Sequence, residues 1–130
     1  NESGALGKLF ESVFLAADPA LQLETLRAHP QLACALAAQD GLSAASQHEQ
    51  AGAGLDQCSA AEYAEFARLN ADYSGKFGFP FIIAVRGLTR GQILASFRQR
   101  LGNERPVEFM TALLETCRIA RFRIGDMFHG

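Results

Sequence analysis

The chain has 130 residues, 48% of them hydrophobic, and a formal net charge of −2. That is enough apolar material for one domain, spanning 1–130, and it gives no electrostatic case for nucleic acid or an anionic membrane. Three cysteines (Cys34, Cys58, Cys117) form no CxxC pair and are odd in number, which speaks against a disulfide framework and for small buried hydrophobes in a reducing compartment.

In chain order the helical period dominates. Leu6, Leu9, Phe10, Val13, Phe14 and Ala17 recur at helical spacing, and Asp18-Pro19 reads as the N-cap and first position of a helix over Ala20 to Ala28. His29-Pro30 interrupts it, and Pro30 is expected to open a third short helix through Ala38 before the Asp40-Gly41 turn. Ser46-Gln47-His48-Glu49 and Ser59-Ala60-Ala61-Glu62 both carry capping-box spacing. From Ser59 a helix sets Tyr63, Phe66, Asn70 and Tyr73 along one stripe. It breaks at Gly78-Phe79-Pro80, because Pro80 disfavours helical geometry at Phe79 and has no amide hydrogen to donate.

The run that follows, Phe81-Ile82-Ile83-Ala84-Val85, is too apolar for a surface loop and too short for a buried helix. Buried, non-helical backbone needs partners for its polar groups, and a bound ligand is one way to supply them. Thr89 then caps a helix with Ile93, Leu94, Phe97 and Leu101 inward, closed by Gly102. Pro106 opens the longest helix, with Leu113, Cys117, Ala120, Ile124 and Met127 on one stripe. The reading is an all-α, single-domain helical bundle with one short extended segment near Phe81–Val85. No apolar run approaches the ~18–20 residues of a membrane span, and the N-terminus lacks the order of a signal peptide. A soluble, cytoplasmic protein is expected.

Several motifs fail on inspection. Gly52-Ala53-Gly54 begins GxGxxG, but residue 57 is Gln57 and no strand precedes it. His48-Glu49 begins HExxH, but residue 52 is Gly52 where the second ligand belongs. With His29, His48 and His129 as the only histidines and no acidic cluster at ligand spacing, no metal site is expected. There is no GxSxG elbow for a nucleophilic serine.

His29-Pro30-Gln31-Leu32, Ser46-Gln47-His48-Glu49-Gln50, Ala53-Gly54-Leu55, Asn70-Ala71-Asp72-Tyr73 and Lys76-Phe77-Gly78-Phe79-Pro80-Phe81 occur in that order. Jointly they resemble 2-oxo-4-hydroxy-4-carboxy-5-ureidoimidazoline (OHCU) decarboxylase, which forms (S)-allantoin late in urate breakdown. The resemblance runs from about Leu26 to Ile124. It implies an all-helical, cofactor-free enzyme, a small-molecule substrate and a homodimer. It also implies that His29 is the catalytic histidine and proton donor, that Glu49 is the catalytic carboxylate that orients or polarises, and that Arg123 binds substrate. Pro30, Ser46, Gln47, His48, Gln50 and the run Phe81, Ile82, Ile83, Ala84 and Val85 are implied substrate contacts.

Gln31 stands where the family usually has Asp, and family members normally carry further helical sequence ahead of the region of Leu9–Phe14. The ending Phe128-His129-Gly130 is not a peroxisomal tripeptide, which favours a bacterial cytoplasm. Taken without the resemblance, each residue has a plainer role. His29 ends a helix, Glu49 completes a capping box with Ser46, and Asn70 satisfies a buried backbone group. Arg123 snorkels from the edge of the apolar stripe, while Arg118 is solvated. Two further readings stay open: a catalytically inactive helical module that binds small molecules in the same pocket, and a structural or partner-binding helical domain.

Overall fold

A computed structural model describes residues 2–34 and 53–129. Among them are five helices, α1 (Glu2–Leu15), α2 (Pro19–Ala28), α3 (Ala60–Phe77), α4 (Arg90–Leu101) and α5 (Arg105–His129), and no strand. The protein is all-α.

Local chemistry sets most helix ends. Asp18 accepts from the Ala20 amide at 2.8 Å ahead of Pro19. Ser59 and Glu62 close a reciprocal capping box, with Glu62 N–H to Ser59 Oγ at 3.1 Å and Ser59 N–H to Glu62 Oε1 at 2.9 Å. Thr89 forms a second box with Gln92. α3 ends at Gly78, whose φ of 82° is a left-handed conformation that favours glycine. Gly102 closes α4 with right-handed dihedrals instead, at φ −83°.

The core is aromatic at its centre. Tyr73 of α3, fully buried, lies edge-on to Phe79, Phe81 and Phe97 at ring-centre distances of 6.0, 5.4 and 6.0 Å. Phe81 stacks on Phe97 of α4 at 3.8 Å and 7°. The apolar corner after α3 is thereby folded back onto α3 and α4. It continues as a non-helical segment, Phe81 to Val85, in which every residue but the half-buried Ile83 is buried. α1 packs along α5 at Gly7, where an added Cβ would lie 3.1 Å from Arg121 Cγ. Arg121 turns its charged end to Glu11 one turn along α1.

Four expectations need correction. Residues Pro30 to Cys34 are not helical, because Leu32 offers its carbonyl to the Asn70 amide at 2.8 Å instead of to a helical turn; Ala35 to Ala38 lie outside the described residues. Cys34 and Cys58 are joined as a disulfide, with Cα atoms 6.0 Å apart across 24 residues of sequence, and Cys117 remains a buried free thiol. The fold, rather than close spacing, brings that pair together. On α1 the apolar stripe is mostly exposed, with Leu9 at 60% and Val13 at 63%, while Gly7 and Phe14 are buried. The α5 stripe is buried at Leu113 and Cys117, yet Met127 is 78% exposed, in a last turn where Asp126 and Phe128 are exposed as well.

Candidate active site

His29 is placed by the end of α2. Its backbone N–H still bonds Leu26 O at 3.1 Å, but its φ of −70° and ψ of 136° leave the helix. The extended ψ follows from Pro30, which disfavours helical geometry in the residue before it. Nδ1 lies 3.0 Å from the Pro30 carbonyl oxygen. A carbonyl only accepts, so Nδ1 carries hydrogen, and in the neutral ring Nε2 is the nitrogen left to exchange a proton. Nε2 is shielded from solvent.

Two cavities meet at this imidazole. One, of about 320 Å³, is lined by Phe10 of α1, His29, and Thr116, Ile119, Ala120 and Arg123 of α5. Its walls are apolar apart from the imidazole, the hydroxyl and the guanidinium, and it lies at the lower end of the size range of small-ligand pockets. The other, of about 290 Å³, is lined by Arg27, His29, Gln31, Ser74, Phe79 and Pro80. Two of the three residues expected to be catalytic, His29 and Arg123, therefore share one cavity wall, although 94 positions separate them in sequence (123 minus 29).

Pro30 is exposed and supplies the carbonyl that orients His29. The Phe81–Val85 segment is held by side chains rather than by a neighbouring strand. Arg100 Nη1 donates to the Ile82 carbonyl at 2.7 Å, and the Ala84 N–H donates to Glu115 Oε1 at 3.0 Å. Arg100 is fixed in turn by Glu108, through Nε to Oε1 at 2.8 Å, and by the face of Phe81, 4.4 Å from its guanidinium carbon. Glu108 also accepts from the Tyr73 hydroxyl at 2.6 Å and from Asn103 Nδ2 at 2.9 Å. Burial first, and then donation to Glu108, raises the Tyr73 hydroxyl well above the usual phenol range, so it stays a donor.

Ser46, Gln47, His48, Glu49 and Gln50 lie outside the described residues. Asn70 takes the plainer role: its amide donates to Leu32 O at 2.8 Å and fixes the segment that leaves His29. The Arg118 side chain is 63% exposed, 3.5 Å from Glu115. Among the described residues no three His, Cys, Asp or Glu side chains gather as metal ligands, and no helix is long and apolar enough to cross a membrane.

Arg100, Glu108 and Glu115 were missed as contributors, yet the sequence carries a signal for them. Arg100 falls three residues after Phe97 and seven after Ile93, on the buried stripe of α4. Glu108 and Glu115 fall in register with the buried Ala112 and Ile119 on α5. A charge in a buried stripe must have a partner.

Comparison with known proteins agrees with this architecture. A family description, OHCU decarboxylase, matches residues 2–125. The uric acid degradation bifunctional protein PucL of Bacillus subtilis is 41% identical over 122 residues, covering 94% of this chain and 24% of its own. The OHCU decarboxylase of Halalkalicoccus jeotgali is 43% identical over 106 residues, covering 82% of this chain and 58% of its own. The chain thus spans less than two thirds of the length of these relatives. Among solved structures, a crystal structure of OHCU decarboxylase in the presence of (S)-allantoin superposes with a TM-score of 0.78 at 27% identity, covering 98% of this chain and 82% of that one.

Proposed function

The chain belongs to the OHCU decarboxylase family, and on that premise we propose that it decarboxylates 2-oxo-4-hydroxy-4-carboxy-5-ureidoimidazoline to (S)-allantoin in urate breakdown. The observation that carries the reading is the convergence of His29 and Arg123 on one apolar-walled cavity. The substrate is a small anionic ring bearing a carboxylate and a hydroxyl on one carbon. Breaking the bond to the carboxylate releases CO2 and leaves an electron pair for the ring's own conjugation to accept, and a proton must then reach one face of that ring.

Arg123 offers fork-shaped donors to the carboxylate or to a carbonyl edge. His29, held through Nδ1 by Pro30, delivers the proton from Nε2. The fixed ring gives that delivery one direction, which a single enantiomer of product requires. Apolar side chains of Phe10, Ile119 and Ala120 favour neutral CO2 over the carboxylate from which it departs. In this reading Glu49 has the role of orienting the imidazole or polarising the substrate hydroxyl, and Ser46, Gln47, His48 and Gln50 are substrate-binding residues. Backbone groups of Phe81 to Val85 meet its amides.

The same reading includes a single domain over 1–130, a homodimer and a cytoplasmic setting. Support for the dimer comes from exposed apolar residues such as Leu9, Val13, Met110 and Leu114 on α1 and α5. Support for the setting comes from the metabolic role in the name of the Bacillus relative.

The test is to generate OHCU freshly by enzymatic oxidation and hydrolysis of urate, then follow allantoin by circular dichroism. Faster formation of one enantiomer is expected. A rate equal to the spontaneous one would leave a binding module that keeps the pocket without turnover.

A further inference from the structure

The Phe81–Val85 segment is gripped along one edge. In an extended chain the carbonyl of one residue and the amide of the second residue after it point to the same side. Arg100 takes the Ile82 carbonyl and Glu115 takes the Ala84 amide, at 2.7 and 3.0 Å. The two grips come from different elements and differ in kind. Arg100 is locked into the buried Glu108–Tyr73 network, whereas Glu115 stands on α5 directly before Thr116 and two turns before Arg123, both of which line the His29 cavity. The Glu115 side chain is 13% exposed, and its second oxygen faces Arg118 at 3.5 Å. One carboxylate therefore ties the segment to the helix that carries the cavity's guanidinium.

We propose that Glu115 is a positioning residue for the decarboxylation: by holding the Ala84 amide it sets where the Phe81–Val85 backbone lies relative to Arg123, without touching substrate itself. The inference rests on the reading of that segment as substrate-facing. The physical cause is the burial of Ala84, which is 4% exposed. An amide donor with no acceptor there turns the chain until it finds one. A displacement of the order of an ångström in a substrate-binding element is costly to rate.

Two variants separate bond geometry from charge. Glu115→Gln keeps an oxygen at the same reach, and its new amide group is tolerated because Arg118, 63% exposed, can swing away. Glu115→Asp keeps the charge but withdraws the carboxylate by one carbon–carbon bond, about 1.5 Å. The Gln variant should retain kcat/KM within about threefold of the parent. The Asp variant should lose about tenfold or more, mainly as a raised KM, and should bind (S)-allantoin correspondingly more weakly.

Both are assayed well below their thermal midpoints, so a fall in stability alone leaves KM and kcat unmoved. An Asp variant with parental KM, or a Gln variant as damaged as the Asp variant, would overturn the positioning role while leaving the proposed activity standing. A parent chain that gives no enantiomeric excess of allantoin would overturn the activity and this inference together.

Discussion

Replacing Glu108 with leucine probes the group on which the buried polar network depends. The Glu108 side chain is 0% exposed and accepts from Arg100, Tyr73 and Asn103 at 2.8, 2.6 and 2.9 Å. Leucine in its place strands the Arg100 guanidinium, 8% exposed, with no carboxylate and with the Ile82 carbonyl, the Phe81 ring and the Tyr73 hydroxyl, 3.5 Å from Nη2, as its remaining contacts. Removing one member of a buried ion pair costs about 3–5 kcal/mol, mostly the penalty of the charge left behind. The orphaned Tyr73 hydroxyl carries a penalty of its own, about 1–3 kcal/mol. Because both losses relax through the same groups they do not add, and about 3–5 kcal/mol is the expected total.

For a chain of this size that corresponds to a fall of roughly 10–25 °C in Tm. Urea unfolding measures it, with the midpoint moving while the slope stays constant. The double variant Glu108→Leu with Arg100→Met removes both charges, and it should recover part of the loss, since an apolar pair of similar volume often matches a buried ion pair. A single-variant cost below about 1 kcal/mol would refute this account, because most surface substitutions cost no more than that. Strictly additive losses in the double variant would refute the coupling.

His29→Asn removes the titrating ring but keeps a hydrogen-bonding side chain, so activity should fall ~10²–10⁴-fold with folding intact; a rate within about threefold of the parent would make His29 a helix-end residue only. Arg123→Lys cannot reproduce a forked contact and should cost roughly ten- to a hundredfold in kcat/KM. Arg118→Lys, at a 63% exposed side chain, should be nearly silent, and equal small effects at the two positions would remove Arg123 from the site. The Glu62 carboxyl is held below the usual range by the Ser59 backbone N–H first and by Arg90 next. Its folded pKa lies below the unfolded value of about 4.3, so its stabilisation is complete above that value and is lost as pH falls through the folded one. The Tm gap between the parent and Glu62→Gln should therefore close on acidification, and a gap that stays constant from about pH 6 to pH 2 would contradict this.

The amino-acid sequence by itself determined the helices and where most of them begin. The devices at Asp18-Pro19, Ser59–Glu62, Thr89 and Gly78 act within a few residues of backbone, so local chemistry is sufficient to read them. The Gly78-Phe79-Pro80 break and the non-helical run after it were legible for the same reason. Proline geometry is local, and a short apolar run excludes other assignments. Ordered motifs carried the family, because several short patterns at fixed spacing are jointly specific.

Tertiary structure alone decided the rest. Pro30 can start a helix as far as local chemistry goes, and only the distant Asn70 amide at the Leu32 carbonyl shows why these residues do not form one. The Cys34–Cys58 pair, the burial of one face of α1 and not the other, and the grip of Arg100 and Glu115 on alternate backbone groups all depend on which elements meet. His29 and Arg123 share a cavity because α2 and α5 pack together. Spacing along a chain cannot encode that meeting, since the energy that settles it comes from surfaces buried between segments distant in sequence.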